Sequence, residues 1–203
     1  DEQYLFMTTM NGVVKKVKTS EFSNAKTRGI IGLKLNAGDK LISAIPTDGN
    51  SEVLLVSRRG KALRFTEEDV RSMGRASCGI KGLKLAEGDE VAGAIKVIPD
   101  ESILLLTEKG YGKRVHFEDF KPHGRGTGGQ RIFGNIEERG EIIGLLTVKD
   151  KDEIIAMTSQ GKTLRVTADT INHQGTGSTG VKVVKNAEPD FLVGVDKVPE
   201  KKK

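Results

Sequence analysis

Residues 53–65 read VLLVSRRGKALRF, in which an apolar run is followed by a glycine and then by alternating basic and apolar side chains. The first four residues are all apolar, which is typical of a strand buried on both faces. After the glycine, Leu63 and Phe65 share one strand face and Arg64 lies on the other, because side chains alternate along a strand. Glycine permits the positive φ that tight hairpin turns require. The stretch therefore predicts a β-hairpin.

This hairpin recurs along the chain at a nearly constant period. Its turn glycines are spaced by 48, 50 and 51 residues and are Gly12, Gly60, Gly110 and Gly161. A second glycine series is spaced by 50, 50 and 51 residues and consists of Gly29, Gly79, Gly129 and Gly180. Two more apolar runs close each repeat, as at 30–35 and 41–45 in the first. Each repeat is therefore predicted to form four short strands.

Four-stranded units at a period of about 40 to 50 residues are typical of propeller-like folds, in which neighbouring sheets cover each other's apolar faces. We predict an all-β fold of four-stranded blades with boundaries near 1–50, 51–100, 101–150 and 151–198. These blades form a predicted single domain over 1–198, followed by a basic tail at 199–203. No segment has helical periodicity of sufficient length, and only a short turn is expected near 67–69.

Composition narrows the class of protein. The 203 residues are 36% hydrophobic and 30% charged, and no apolar run reaches the roughly 18 residues of a membrane helix. The acidic start has neither a signal pattern nor a Met, which leaves open that the chain was cut from a longer protein. The single cysteine, Cys78, excludes an internal disulfide and fits a reducing compartment. We therefore expect a cytoplasmic protein without membrane contact.

A basic residue stands four places after each turn glycine, and the net charge of +5 favours an anionic partner. Strand alternation predicts that these side chains point outward at equivalent places on successive blades and form a row along a curved rim. The row consists of Lys16, Arg64, Arg114 and Arg165. The alternative interpretation is that these lysines and arginines are only solvated and protect the sheet edges from pairing with other chains.

A glycine-rich basic loop follows each hairpin, at 26–29, 74–81, 124–131 and 175–182. Glycine lets backbone N–H groups approach a phosphate closely, and hydroxyl and basic side chains add further donors. Such contacts hold a DNA duplex without reading its sequence. Besides the row, the predicted DNA-binding residues are Arg28, Arg75, Lys81, Lys113, Arg125, Arg131 and Lys182.

Signals for catalysis or metal binding are weak. His116, His123 and His173 do not recur at equivalent positions and have no partner at a metal-ligand spacing. The stretch 124–129 lacks the Gly-Lys-Ser/Thr ending of a phosphate loop, and the acidic pairs 67–68 and 137–138 are sequence neighbours in turns. Too few aromatic residues are present for base stacking on single strands. We predict no catalytic residue, metal site or cofactor.

Several segments carry a family resemblance. EKGYGKR (108–114) is the most specific, with EQYLFMT (2–8), NGVVKK (11–16) and VRSMGR (70–75). The chain resembles, over its whole length, the C-terminal domain of the DNA gyrase A protein and, less closely, that of the topoisomerase IV paralogue. The resemblance implies a β-pinwheel with strands exchanged between neighbouring blades, whose basic perimeter wraps duplex DNA and supports negative supercoiling. It implies the rest of the gyrase A protein and the gyrase B protein as partners, with catalytic residues in other domains. It also implies a bacterial-type, nucleoid-associated protein.

The sequence departs from that family in two respects. The gyrase pinwheel has about six blades, and four are present here, which leaves open a fragment or a shorter domain. The gyrase-box heptapeptide is absent, and 126–131 is at best a degenerate counterpart. Whether this chain wraps DNA on its own is therefore left open by the resemblance.

Two other functions compete with DNA binding. A protein-binding propeller scaffold without DNA affinity would associate in a salt-insensitive way, but the chain has no Trp and no WD dipeptide. A propeller enzyme would need a repeated set of carboxylates or histidines around its channel, and no such set recurs.

Overall fold

The computed structural model describes residues 2–186 and 188–199 and is almost entirely β-structure, which confirms the predicted fold class. Residues 200–203 of the predicted tail lie outside the described residues. Contacts divide the chain into two compact units. The first comprises Asp1–Ser57, Ala62–Val97 and Lys121–Gln130, and the second comprises Arg58–Lys61, Ile98–Phe120 and the chain from Arg131 onward. A single domain over 1–198 stays a prediction.

The elements are short and follow one another at the period of the repeat. The strands are β1 (Tyr4–Thr9), β2 (Val13–Lys18), β3 (Leu41–Thr47), β4 (Glu52–Ser57), β5 (Lys61–Thr66), β6 (Ile80–Lys81), β7 (Val91–Lys96), β8 (Ser102–Thr107), β9 (Tyr111–His116), β10 (Gln130–Arg131), β11 (Ile142–Val148), β12 (Glu153–Thr158), β13 (Thr163–Thr167), β14 (Val181–Lys182) and β15 (Leu192–Lys197). The helices are α1 (Ile136–Arg139) and four 3₁₀ turns, Thr19–Phe22, Glu67–Asp69, Phe117–Asp119 and Ala168–Thr170. None of these helices is long enough to cross a membrane.

The four predicted hairpins are confirmed as the antiparallel pairs β1–β2, β4–β5, β8–β9 and β12–β13. Their turn glycines have φ values of +79° to +82°. A threonine hydroxyl stabilises three of these turns by accepting a backbone N–H from four residues further on, and these threonines are Thr9, Thr107 and Thr158. The turns form because glycine adopts the left-handed conformation that other residues rarely enter.

Neighbouring repeats exchange a strand. The four sheets are each built on one hairpin and are ordered β3-β1-β2-β6, β10-β5-β4-β7, β11-β8-β9-β14 and β13-β12-β15. The outermost strands β6, β10 and β14 each come from the repeat that follows the hairpin they join. This exchange is the pinwheel feature that the family resemblance implied. Among the described residues, the fourth sheet has no such outer strand.

Two details differ from the sequence prediction. The apolar run 30–35 is not a strand, and in the other repeats the matching strand has only two residues. Glycine weakens a strand, and the segments that pair here are short, so the ladder of hydrogen bonds does not extend beyond these residues. The four-residue helix α1 begins after Asn135, which has φ +52°, and was not predicted because one turn is too short to show periodicity.

The central strands fill the apolar core. In β4, residues Val53–Val56 are completely buried, as the continuous apolar run predicted. In the first unit Phe6 packs against Phe65, with ring centroids 6.2 Å apart. A separate cluster in the second unit includes Leu104, Ile154 and Ile171. Since both faces of these strands are covered, alternation along a strand does not by itself separate buried from exposed side chains.

Two turn glycines of the second unit offer a matched test. Gly110 has φ +82°, and a Cβ added there would lie 2.3 Å from the carbonyl oxygen of Val184. Gly161 has φ +79°, and an added Cβ would meet no atom of the described residues within 4 Å. We expect Gly161→Ala to cost about 1 kcal/mol of unfolding free energy from backbone strain alone. We expect Gly110→Ala to cost about 3 kcal/mol of unfolding free energy, because the backbone of Val184 must also shift to make room for the new methyl group.

Urea unfolding of the two variants against the parent chain measures the difference. Equal destabilisation by both substitutions would contradict the close contact at Gly110.

Candidate nucleic-acid interface

The row of basic residues predicted to point outward is largely buried. The exposed fraction of the side chain is 8% for Lys16, 16% for Arg64 and 6% for Arg114. Only Arg165, at 60%, is well exposed. The outward orientation is therefore wrong for Lys16 and Arg114, and Arg64 is only partly exposed.

The following repeat covers this face of the strands. Lys16 and Arg114 form isolated parallel bridges to Ser72 and His173 of the next repeat. The Lys16 ammonium donates to the carbonyl of Glu67 at 2.9 Å, and Arg114 Nε donates to the carbonyl of Ile171 at 2.6 Å. These cations therefore join one repeat to the next.

Each residue of the row also has an acidic partner. Lys16 Nζ lies 4.0 Å from Glu67, and Arg114 binds Asp150 at 2.5 Å. Arg64 pairs with Glu52 and Arg165 with Glu153 across their hairpins. The Arg114 guanidinium holds the pKa of the Asp150 carboxyl below its usual range. The fourth sheet, without an outer strand in the described part of the chain, leaves Arg165 uncovered.

A second set of cations recurs in an exposed place. Lys81, Arg131 and Lys182 each end the short outermost strand of a sheet, and all three are exposed. Lys81 lies opposite Val13 and Lys182 opposite Tyr111 in the strand register. The ammonium of Lys182 lies 4.9 Å from the Tyr111 ring centroid and donates to the carbonyl of Lys109. We call Lys81, Arg131 and Lys182 the edge-strand cations.

The glycine-rich loops carry further cations of the predicted set. Arg28 is exposed, and Arg75 is half-buried and donates to the carbonyl of Ile31 at 2.8 Å. Arg125 is exposed and donates to the carbonyls of Asp69 at 2.9 Å and Lys81 at 3.2 Å. In the first unit the Arg125 guanidinium therefore lies against the backbone of the strand that carries Lys81.

Lys113, another residue of the predicted set, is completely buried. Its ammonium donates to three carbonyls and a hydroxyl of the loop 175–178 at 2.9 to 3.0 Å. Lys15, which the sequence analysis did not single out, is buried in the same way against Gly32, Arg75 and Ser77. Burial lowers the pKa of Lys113 to about 8 and lowers that of Lys15. The matching residues in the other repeats are Leu63 and Leu164, which signals an apolar position. Leu63 is completely buried, whereas Leu164 is 36% exposed.

Two of the three histidines are stacked. The rings of His116 and His173 are parallel within 7°, with centroids 3.9 Å apart, and His173 Nε2 lies 2.8 Å from the Ser102 hydroxyl. No sequence pattern indicated this contact, since the two residues are distant along the chain. Among the described residues, no three histidine, cysteine or carboxylate side chains are arranged to hold a metal ion.

Acid is expected to weaken the second unit through His173. Burial, followed by the charges of Arg114 and His116, lowers the pKa of His173 below 6.5, against the opposing effect of Asp150 and Asp119. Between the folded-state pKa and 6.5 the unfolded chain binds more protons, so stability falls as the pH drops through this window. The thermal unfolding midpoint at about pH 7.5 and about pH 5 measures the loss.

His173→Gln keeps an amide near Ser102 and should reduce this pH dependence, whereas the control His123→Gln, at an exposed position, should leave it unchanged. The same pH dependence in both variants would contradict the assignment to His173.

The comparisons with known proteins agree with this architecture. The sequence model of the family described as DNA gyrase C-terminal domain, beta-propeller, matches residues 3–48, 51–98, 101–149 and 152–199. The chain belongs to the DNA gyrase C-terminal domain family. The predicted resemblance and the predicted four repeats are thereby confirmed.

Relatives in this family include the DNA gyrase A protein of Treponema pallidum, 60% identical over 195 residues, and that of Leptospira biflexa, 52% identical over 192 residues. The alignments cover 96% and 95% of this chain but 24% and 23% of the relatives, so the chain spans about a quarter of their length. A solved DNA gyrase A C-terminal domain matches with a TM-score of 0.88 at 30% identity, over 97% of this chain and 66% of that one. A solved topoisomerase IV C-terminal domain matches at 0.91 and 28% identity, over 97% and 62%.

The gyrase C-terminal repeat also contains a recurring acid that sequence reasoning missed. Asp39 accepts the backbone N–H of Asn11 at 3.0 Å, and Asp190 accepts that of Gln160 at 3.1 Å. Both acids are nearly buried and hold a hairpin turn of their own repeat. The signal for them was present, because an acidic residue precedes the last strand in each repeat, at 39, 89, 141 and 190.

Proposed function

We propose that this chain binds and bends duplex DNA through phosphate contacts, as an accessory module of a type II topoisomerase that supports negative supercoiling. The observation that carries the proposal is the recurrence of an exposed cation at the end of the outermost strand in three sheets. Cations at equivalent positions can each neutralise a phosphate, and such contacts hold a duplex without reading its bases. The charge of +5 favours the same partner.

Burial changes which residues we assign to DNA. The proposed phosphate contacts are the exposed members of the predicted set, namely Arg28, Lys81, Arg125, Arg131, Arg165 and Lys182, with Arg75 partly available. The ion pair between Arg165 and Glu153 is exposed and of the kind that contributes little to stability, so Arg165 can exchange it for a phosphate. Lys16, Arg114 and Lys113 are assigned to joining repeats and supporting loops.

The whole protein supplies the biological setting of this function. Within it we expect the chain to act with the remainder of the gyrase A protein and with the gyrase B protein, in the bacterial cytoplasm on nucleoid DNA. Bending a duplex over a few tens of base pairs costs several kcal/mol, which a series of phosphate contacts must offset. We assign no catalytic residue to this chain.

A titration of duplex binding against salt, followed by electrophoretic mobility shift, tests the proposal. We expect the logarithm of the association constant to fall linearly with the logarithm of salt concentration, with a slope of about −0.9 per neutralised phosphate. Ligation of a small DNA circle in the presence of the chain should trap induced writhe. Binding that is absent or insensitive to salt would contradict the proposal.

Protein binding is the second candidate, because Phe191 and Val193 of the second unit are 48% and 53% exposed. Salt-insensitive association with a protein, in the absence of duplex binding, would favour that function.

A further inference from the structure

The four glycine-rich loops differ in charge. Up to the glycine of the second series, the first three contain cations, at Lys26, Arg28, Arg75 and Arg125. The fourth, GTGSTG at 175–180, has none before Lys182. A loop without a cation is a poor phosphate ligand by charge alone. In the second unit, however, the completely buried ammonium of Lys113 lies directly behind this loop.

The ammonium of Lys113 fixes the direction of the loop's peptide groups. It donates to the carbonyls of Gly175 at 2.9 Å, Thr176 at 3.0 Å and Ser178 at 3.0 Å. A fourth acceptor, the Ser178 hydroxyl at 3.0 Å, itself donates to the Gly175 carbonyl at 2.8 Å. The ring of Phe133, with its centroid 5.0 Å from the ammonium, covers another side. The charge is thus paired with oxygen dipoles, as a buried ammonium requires.

Inward carbonyls imply outward N–H groups. In a planar trans peptide, the C=O of one residue and the N–H of the next point in opposite directions. The N–H groups of Thr176, Gly177 and Thr179 therefore point away from the ammonium of Lys113. Gly177 is exposed, and a Cβ added there would meet no described atom within 4 Å, so the outer side of the loop is open. Exposed backbone N–H groups are among the donors with which proteins bind the phosphate oxygens of a duplex.

We propose that the loop 175–180 is a phosphate-binding site formed by backbone N–H groups and positioned by the buried ammonium of Lys113. The inference rests on the proposed DNA-binding function and identifies the ligand as a phosphate of the duplex backbone. Lys113 is a positioning residue, because it holds the loop and does not contact the ligand.

The first unit contains a second example of the same arrangement. The Lys15 ammonium donates to the carbonyls of Arg75 and Ser77 of the loop 74–79, the latter at 3.0 Å, and to Gly32 at 3.1 Å. By the same geometry, the N–H groups of Ala76 and Cys78 point away from it. There the loop also carries Arg75, so the loop 175–180 is the cleaner place to test the idea.

The test uses backbone amide NMR of the ¹⁵N-labelled chain, titrated with a DNA duplex of about 20 base pairs, or two helical turns. We expect the amide signals of Thr176, Gly177 and Thr179 to shift on binding, together with those of Lys81 and Lys182. Shifts at Lys81 and Lys182 without shifts in the loop would overturn the inference and leave the proposed function standing. No shift at any of these residues would contradict the proposed function itself.

Lys113→Met provides a second readout, with exposed Lys151→Met as the control for loss of one charge. We expect Lys113→Met to weaken duplex binding by about threefold to tenfold, since loop hydrogen bonds to phosphate are lost, with an unchanged salt slope. A slope reduced by about 0.9 would mean that Lys113 itself neutralises a phosphate and would overturn its positioning role. If Lys113→Met does not fold, the wild-type amide titration decides alone.

Discussion

Replacing Glu67 with leucine is expected to lower the unfolding free energy of the first unit by about 3 to 5 kcal/mol. Glu67 is completely buried and accepts hydrogen bonds from the Thr47 hydroxyl at 2.7 Å and from the N–H groups of Gly49 and Ser51 at 2.9 Å. It also faces the buried ammonium of Lys16 at 4.0 Å. Leucine would leave three donors without their acceptor and would remove the carboxylate that faces the Lys16 ammonium, which is costly away from water.

The neighbouring residue supplies the control for this substitution. Glu68 is exposed in the same 3₁₀ turn, and Glu68→Leu removes the same charge. We expect its unfolding free energy to stay within about 0.5 kcal/mol of the parent chain in urea titrations. Similar effects of the two substitutions would show that Glu67 does not have the structural role assigned to it.

The combined substitution of the edge-strand cations, Lys81→Ala, Arg131→Ala and Lys182→Ala, is expected to weaken duplex binding roughly 10²-fold at about 0.1 M salt. Each lost phosphate contact removes about 0.9 from the slope of log affinity against log salt, so the slope should flatten by nearly three. Mobility-shift titrations at several salt concentrations measure both quantities. The fold should be preserved, because these side chains are exposed.

A triple variant at other exposed lysines controls for the loss of three charges. This variant changes the net charge by the same amount at exposed positions to which we assign no phosphate contact. Its substitutions are Lys40→Ala, Lys121→Ala and Lys151→Ala. We expect its salt slope to match that of the parent chain. If both triple variants flatten the slope equally, binding depends on net charge and not on the edge strands.

The hairpins and the repeat were predictable from sequence because their causes are local. A turn glycine such as Gly60 and the apolar run before it determine the hairpin within about a dozen residues. The period then follows from comparing such segments along the chain. Exchange of the outer strand is different, because a two-residue strand such as β6 is too short to carry a pattern of its own.

The orientation of the basic row could not be read from alternation. Alternation correctly puts Arg114 and the core on opposite faces of β9, but it does not reveal that the following repeat covers the second face. Glu67 is a similar case, since its partners Thr47 and Gly49 belong to the preceding repeat, 20 and 18 residues away along the chain. Both residues are buried by contacts between repeats, which pattern analysis within one repeat does not see.

Comparison across repeats would have identified some of these positions. Lys113 occupies the place where two other repeats have leucine, at Leu63 and Leu164, and Leu63 is completely buried. A cation that replaces leucine at a repeated position is therefore a candidate buried ammonium. Conversely, Lys81, Arg131 and Lys182 recur two residues after a glycine of the second series and were part of the predicted set. Their distinction from the buried row required the structure.

Amine-reactive labelling of lysines, read by mass spectrometry with and without duplex DNA, tests most directly whether the exposed edge and not the buried row contacts DNA. We expect Lys81 and Lys182 to react in the free chain and to be protected by the duplex, while Lys16 and Lys113 stay unreactive in both samples. Equal labelling of Lys81 and Lys182 with and without bound duplex would contradict the account.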